Sequence, residues 1–170
     1  MKANIILIIL MCSLLGCKSP EAGKFREEIV KNERIAFNIV LSKDSYDEQK
    51  LESLIKNDFK GALVAVDKQS KQFDSLIQHI KGLPAENIAE GPQLKEAAIN
   101  YYTALKDLHY FDRKEIEQQE VIFLGKDKYS STSSNRLIEL ARQKKRLYEK
   151  VYQQEDLLKK AFTKFDLANR

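Results

Sequence analysis

Apolar residues recur at every third or fourth position along most of this chain, which is the spacing of amphipathic helices. The first periodic stretch covers residues 24–41 and places Phe25, Ile29, Ala36 and either Ile39 or Val40 on one face. A face of this kind has to pack against another element to leave water. The stretch therefore predicts a first helix that buries one side.

The polar segment 42–45 is expected to end the first helix and to begin the second. Ser45 is followed three residues later by Glu48, which is typical of a capping box. The second helix should then continue to about residue 81, where Gly82-Leu83-Pro84 ends it. Its inward face alternates steps of four and three and consists of Ile55, Phe59, Ala62, Val66, Gln69, Phe73, Leu76 and Ile80.

Two further helices follow from the same punctuation. Pro92 suits the first position of a third helix, which should reach about residue 124 with Gly125 as its C-terminal cap. Residues 126–133 are polar and predict a loop. The fourth helix should begin at residue 133 or 134 and reach about residue 166.

Three long helices and a shorter first helix, joined by short loops, predict an all-α fold. The expected architecture is an up-down-up-down antiparallel four-helix bundle. A single long coiled coil is the alternative, and the loops between the periodic stretches disfavour it. Glycine and proline are scarce, at 6 and 3 residues, which agrees with a helical chain.

The N-terminal region predicts export. Lys2 precedes an apolar run from Ile5 to Leu15, and a small residue follows, which is the layout of a signal peptide. The run is too short to span a bilayer, because a spanning helix needs about 20 apolar residues. Leu14-Leu15-Gly16-Cys17 resembles the lipobox of bacterial lipoproteins.

That resemblance implies cleavage between Gly16 and Cys17, a diacylglyceryl thioether on Cys17, and an acyl chain such as palmitate on its new amino group. The domains would then be a signal peptide over 1–16, a tether over 17–23 and a bundle over 24–170. Cys12 would leave with the signal peptide, so the mature chain would carry neither a free thiol nor a disulfide. Lys18 is not the aspartate that marks inner-membrane retention, so the outer membrane is expected.

The helical part also resembles a group of uncharacterised surface lipoproteins of spirochaetes and Bacteroidetes. The likeness lies in residues 94–98, which lead into Tyr101-Tyr102, and in Tyr148, Gln154 and Ala161-Phe162. It implies a helical surface lipoprotein and provides no catalytic residues to carry over.

A polar layer interrupts the predicted core between helices three and four. Asp112, Glu115 and Gln119 fall on the inward face of helix three, and Lys144 falls on that of helix four. If the hairpin turns near residue 129 or 130, two residues that face each other across it have numbers that add up to about 259. Glu115 should then lie level with Lys144. The layer either fixes the register of the helices or forms a notch for a polar ligand or cation.

No catalytic or metal site is expected. Di-iron bundles need Glu-x-x-His, and the residues three positions before His79 and His109 are Leu76 and Lys106. Opposite residues of helices two and three should have numbers that add up to about 173. His109 would then lie opposite residue 64. The two histidines would then be about 22 Å apart. Neither a serine-nucleophile elbow nor a phosphate loop is present in the sequence.

The sequence thus predicts a lipid-anchored, non-enzymatic protein of the cell envelope, without a cofactor. It would act as a binding, adaptor or structural module whose partners are the membrane and another envelope protein. Nucleic-acid binding is disfavoured, because the mature chain has 28 basic against 25 acidic residues, with Lys2 removed from the 29 of the full chain. The alternative is a small-ligand or haem carrier, for which His109 is the only axial candidate.

Overall fold

The computed structural model describes residues 19–125 and 131–170, with side chains in the last segment from residue 135 onward. Within these residues the chain forms helices without strands. They are α1 (Pro20–Leu41), α2 (Tyr46–Ile55), α3 (Phe59–Gly82), α4 (Gly91–Tyr110), α5 (Asp112–Phe123) and α6 (Ser131–Ala168).

The helices are arranged as four antiparallel columns. α1 and α2 form the first column, α3 the second, α4 and α5 the third, and α6 the fourth. Lys150 of α6 pairs with Asp107 of α4 at 3.0 Å, and Asn169 Nδ2 donates to the Ala89 carbonyl at 2.8 Å. The prediction of an all-α up-down-up-down bundle is confirmed.

α1 begins earlier than expected. Ser19 is its N-cap, with Oγ accepting from the Ala22 backbone N–H at 3.3 Å, and Pro20 occupies the first turn. Residues 20–23, expected in the tether, therefore belong to the helix. Gly16 and Cys17 lie outside the described residues.

The first reversal of the chain lies at residues 56–58 and not at 42–45, so the second helix predicted over 45–81 is divided. The 42–45 segment is a bend, after which α2 continues in the direction of α1 and packs along the half of α3 that lies near residue 59. There Lys68 of α3 lies 5.6 Å from the ring of Tyr46 in α2. Ile55, expected on the inward face, is 81% exposed beside the reversal.

Local chemistry explains this reversal. Asn57 has φ +57°, a left-handed conformation that asparagine tolerates better than most residues. Asp58 then caps α3, its Oδ1 accepting from the Gly61 N–H at 2.9 Å. A Cβ at position 61 would lie 2.2 Å from Asp58 Oδ2, so glycine permits the close cap.

The core runs along the columns and agrees with the inward faces predicted for the first two helices, apart from Ile55 and the half-buried Phe59. At the lower end, where residues 19 and 169 lie, the rings of Phe25 and Phe165 are 5.7 Å apart. At the upper end the rings of Phe59 and Phe123 are 5.4 Å apart. In the described part of the chain no helix is both long enough and apolar enough to cross a membrane. The buried predicted residues are Phe25, Ile29, Ala36, Ile39, Ala62, Val66, Gln69, Phe73, Leu76 and Ile80.

Candidate functional site

The third column has a short break between α4 and α5 at Phe111, and the predicted polar layer lies at this break. α4 ends at Tyr110, Phe111 is buried, and α5 starts at Asp112. Asp112 is the first residue of α5, and the backbone enters it through Phe111 in a helical conformation. Its side chain is only 13% exposed.

The structure brings Lys144 of α6 to this carboxylate. Lys144 Nζ donates to Asp112 Oδ1 at 2.9 Å and to Glu115 Oε2 at 2.5 Å. The pairing of Glu115 with Lys144 matches the register expected for the hairpin.

Two residues that the sequence did not indicate complete the group. Lys50 of α2, with a side chain 9% exposed, donates from Nζ to Asp47 Oδ1 at 2.6 Å and also to Asp112 Oδ2. Asp112 therefore lies between two ammonium groups from different columns. We refer to Asp47, Lys50, Asp112, Glu115 and Lys144 as the charged cluster.

Gln119 was wrongly assigned to this layer. It is exposed, and the core position of α5 is taken by Ile116, which is 2% exposed. The break at Phe111 restarts the helix, so the periodicity read through from α4 does not hold in α5. Ile116 packs instead with Ala62 and Val66 of α3.

The charged cluster favours the ionised forms of Asp112, Lys50 and Lys144. Burial acts to raise the pKa of Asp112, but hydrogen bonds and charge from Lys50 and Lys144 outweigh it and keep that pKa below its usual value. Burial acts to lower the pKa of both lysines, and their carboxylate partners nonetheless keep it raised. The cluster is a set of mutually compensated charges in a mostly dry site.

His109 packs beside the cluster. Its ring stacks on Phe73 at 5.8 Å between centroids, and Nδ1 lies 3.9 Å from Asp47 Oδ1. The expectation that it faces residue 64 was wrong. Arg113 pairs with Asp67, and Lys106 pairs with Asp74. The numbers of opposite residues in the second and third columns therefore add up to 180 and not to 173. Burial is the largest influence on His109, and it lowers the pKa of the imidazole.

This lowered pKa predicts a pH dependence of stability. The unfolded chain takes up a proton near pH 6.5, the ordinary histidine value, while folded His109 resists it. The free energy of unfolding should therefore be greatest above pH 6.5 and should decrease as the pH drops toward 5. Urea unfolding at several pH values should show this slope, and His109→Gln should flatten it.

His79→Gln is the matched control, because it makes the same chemical change at a half-exposed histidine of α3. It should leave in place the slope that depends on His109. An unchanged slope in His109→Gln would contradict the assignment.

A metal ion does not fit the charged cluster. Asp47, His109 and Asp112 can each offer one ligand atom within 4.8 Å of the others. However, the Lys50 ammonium already hydrogen-bonds both carboxylates. A divalent cation would have to displace a buried lysine, whose stranded charge would be costly.

A buried polar side chain with an unsatisfied oxygen lies apart from the charged cluster, beside a groove between α1 and α3. Asn32 is fully buried there, and its Nδ2 donates to the Glu28 carbonyl at 2.6 Å, while Oδ1 has no partner among the described residues. The groove has a volume of about 360 Å³ and is also lined by Ile35, Leu76 and His79. We call it the Asn32 groove.

The unpartnered oxygen predicts a stabilising substitution. A buried acceptor without a partner costs about 1–3 kcal/mol, and the groove leaves room for a larger side chain. Asn32→Leu should therefore raise the free energy of unfolding by about 1–2 kcal/mol in urea titrations. Exposed Asn38→Leu is the control and should change it by less than about 0.5 kcal/mol. A loss of stability in Asn32→Leu would contradict this reading.

A comparison with protein-family models, with curated proteins and with solved structures found no match to this chain in any of the three.

Proposed function

We propose that this protein is a lipid-anchored helical adaptor of the bacterial envelope. Cys17 would tether its lower end to the outer membrane, and the bundle would hold another envelope protein. The proposal rests on the lipobox-like residues 14–17 and on where the bundle exposes apolar surface. The charged cluster serves as the structural layer that fixes the columns.

A group of four exposed apolar side chains at one end of the bundle is the observation that carries the binding role, while others such as Phe37, Tyr152 and Leu167 are exposed elsewhere. Leu51, Ile55, Phe123 and Leu124 are 52%, 81%, 58% and 54% exposed. They lie at the upper end, beside the 56–58 reversal and the end of α5. The column of α6, with 38 residues, separates this end from Ser19 by about 57 Å. A tethered rod whose free end is apolar suits contact with a second protein.

In-cell photocross-linking tests this role. A photoreactive residue at position 55 or 123 should give adducts dominated by one envelope protein, identified by mass spectrometry. The same residue at exposed position 27, near the lower end, is the control and should not capture that protein. Equal adducts at all three positions, or none at the upper end, would contradict the adaptor function.

The Asn32 groove favours a second candidate function, that of a small-ligand carrier. Its volume lies in the range of small-molecule sites, and the unpartnered Asn32 oxygen is buried behind its wall. His109, the only axial candidate that the sequence offers for the haem alternative, stacks on Phe73. A purified protein without absorbance in the visible range, and without a copurifying small molecule, would speak against the carrier.

A further inference from the structure

A second groove lies at the lower end of the bundle, between the start of α1 and the segment that joins α3 to α4. It has a volume of about 360 Å³. Its apolar lining comes from Phe25, Leu83, Pro84, Ala85 and Ile88. Charged residues, including Glu21 and Glu86, stand on its two walls. We call it the anchor groove, because it lies next to the point where the described chain begins.

Its position relates it to Cys17. The groove-lining residue Glu21 lies four residues after Cys17, and four residues of chain span at most about 14 Å. From Glu21 to Glu28 the groove follows α1 for about 10 Å. An acyl chain in one leaflet extends about 15 Å, half of a hydrocarbon core of about 30 Å. The groove therefore matches most of the length of one chain.

We propose that the anchor groove holds the acyl chain carried on the amino group of Cys17. This inference rests on the proposed lipidation. The two chains of the diacylglyceryl group remain in the bilayer, and two chains suffice for stable anchoring. The third chain, joined directly to the backbone nitrogen, lies against the apolar lining and orients the rod relative to the membrane.

A fluorescent fatty acid, cis-parinaric acid, provides the probe. The chain secreted without lipid, with Cys17→Ala, should bind one equivalent with a rise in fluorescence. The lipidated protein in nanodiscs should bind at least tenfold more weakly, because its own chain fills the groove. Equal binding by both forms would show a site for free fatty acids and would overturn the proposal.

Matched substitutions place the probe in the groove. Glu21→Trp and Glu86→Trp each put a bulky ring on one exposed wall and should weaken binding to the unlipidated chain at least tenfold. Glu27→Trp makes the same chemical change at an exposed position of α1 away from the groove lining, and should alter binding less than twofold. Unchanged binding in both wall variants would overturn the proposal, as would absence of binding to the unlipidated chain.

The failure of the anchor itself has a different signature. Intact mass spectrometry counts the acyl chains on Cys17. A chain without lipid refutes the proposed function, and with it an anchor-derived occupant. If the native protein carries three acyl chains but the unlipidated form does not bind cis-parinaric acid, only this inference is refuted.

Discussion

Replacing Cys17 with alanine is expected to move the protein from the membrane fraction to the soluble fraction. The variant should be exported behind an ordinary cleavable secretory signal in place of residues 1–16, so that no uncleaved apolar segment remains. Two or more acyl chains hold a protein stably on a bilayer, whereas one chain binds only marginally. Without them, the described helices supply no membrane-crossing segment. Fractionation and immunoblotting measure the shift, which should be nearly complete.

The control carries the native residues 1–17 and should remain in the membrane fraction after a high-salt wash, because a lipid anchor does not depend on charge. Detergent should release it. If the Cys17→Ala protein stays with the membrane through the same wash, lipidation is not what holds it there.

The second large effect is expected at Asp112. Asp112→Ala removes the acceptor shared by Lys50 and Lys144 and leaves each ammonium with a single carboxylate partner. Each hydrogen bond to a charged group contributes about 1.5–3 kcal/mol, and this substitution removes one from each of the two lysines. We expect a loss of about 3 kcal/mol in the free energy of unfolding, measured by urea titration.

Two variants bracket this result. Asp74→Ala breaks the Lys106–Asp74 pair, whose aspartate is 55% exposed, and should cost less than about 1 kcal/mol. Lys50→Met combined with Asp112→Leu removes the buried pair as a whole and should recover most of the lost stability. If Asp112→Ala costs no more than Asp74→Ala, the charged cluster does not stabilise the bundle.

The sequence predicted the hairpin of the third and fourth columns well. A polar segment and two periodic stretches placed Glu115 opposite Lys144, because the sequence leaves few residues between the two stretches and the register follows from that number. The inward face of α3 was also predicted, since steps of four and three persist through an uninterrupted helix.

The errors have two local causes. The reversal at 56–58 was missed because helix-forming residues surround it, although Asn57-Asp58 followed by Gly61 carries the signal of a left-handed residue and an N-cap. That error concealed Lys50, which reaches Asp112 only when α2 stays in the first column. The break at Phe111 shifted the phase of α5, so Gln119 was expected inside in place of Ile116.

The intact mass of the membrane-extracted protein shows whether Cys17 carries the lipid anchor. We expect a chain of residues 17–170 carrying a diacylglyceryl group and one further acyl chain, with the added mass confined to the N-terminal peptide after proteolysis. An unmodified Cys17, or a chain that still begins at Met1, would contradict it.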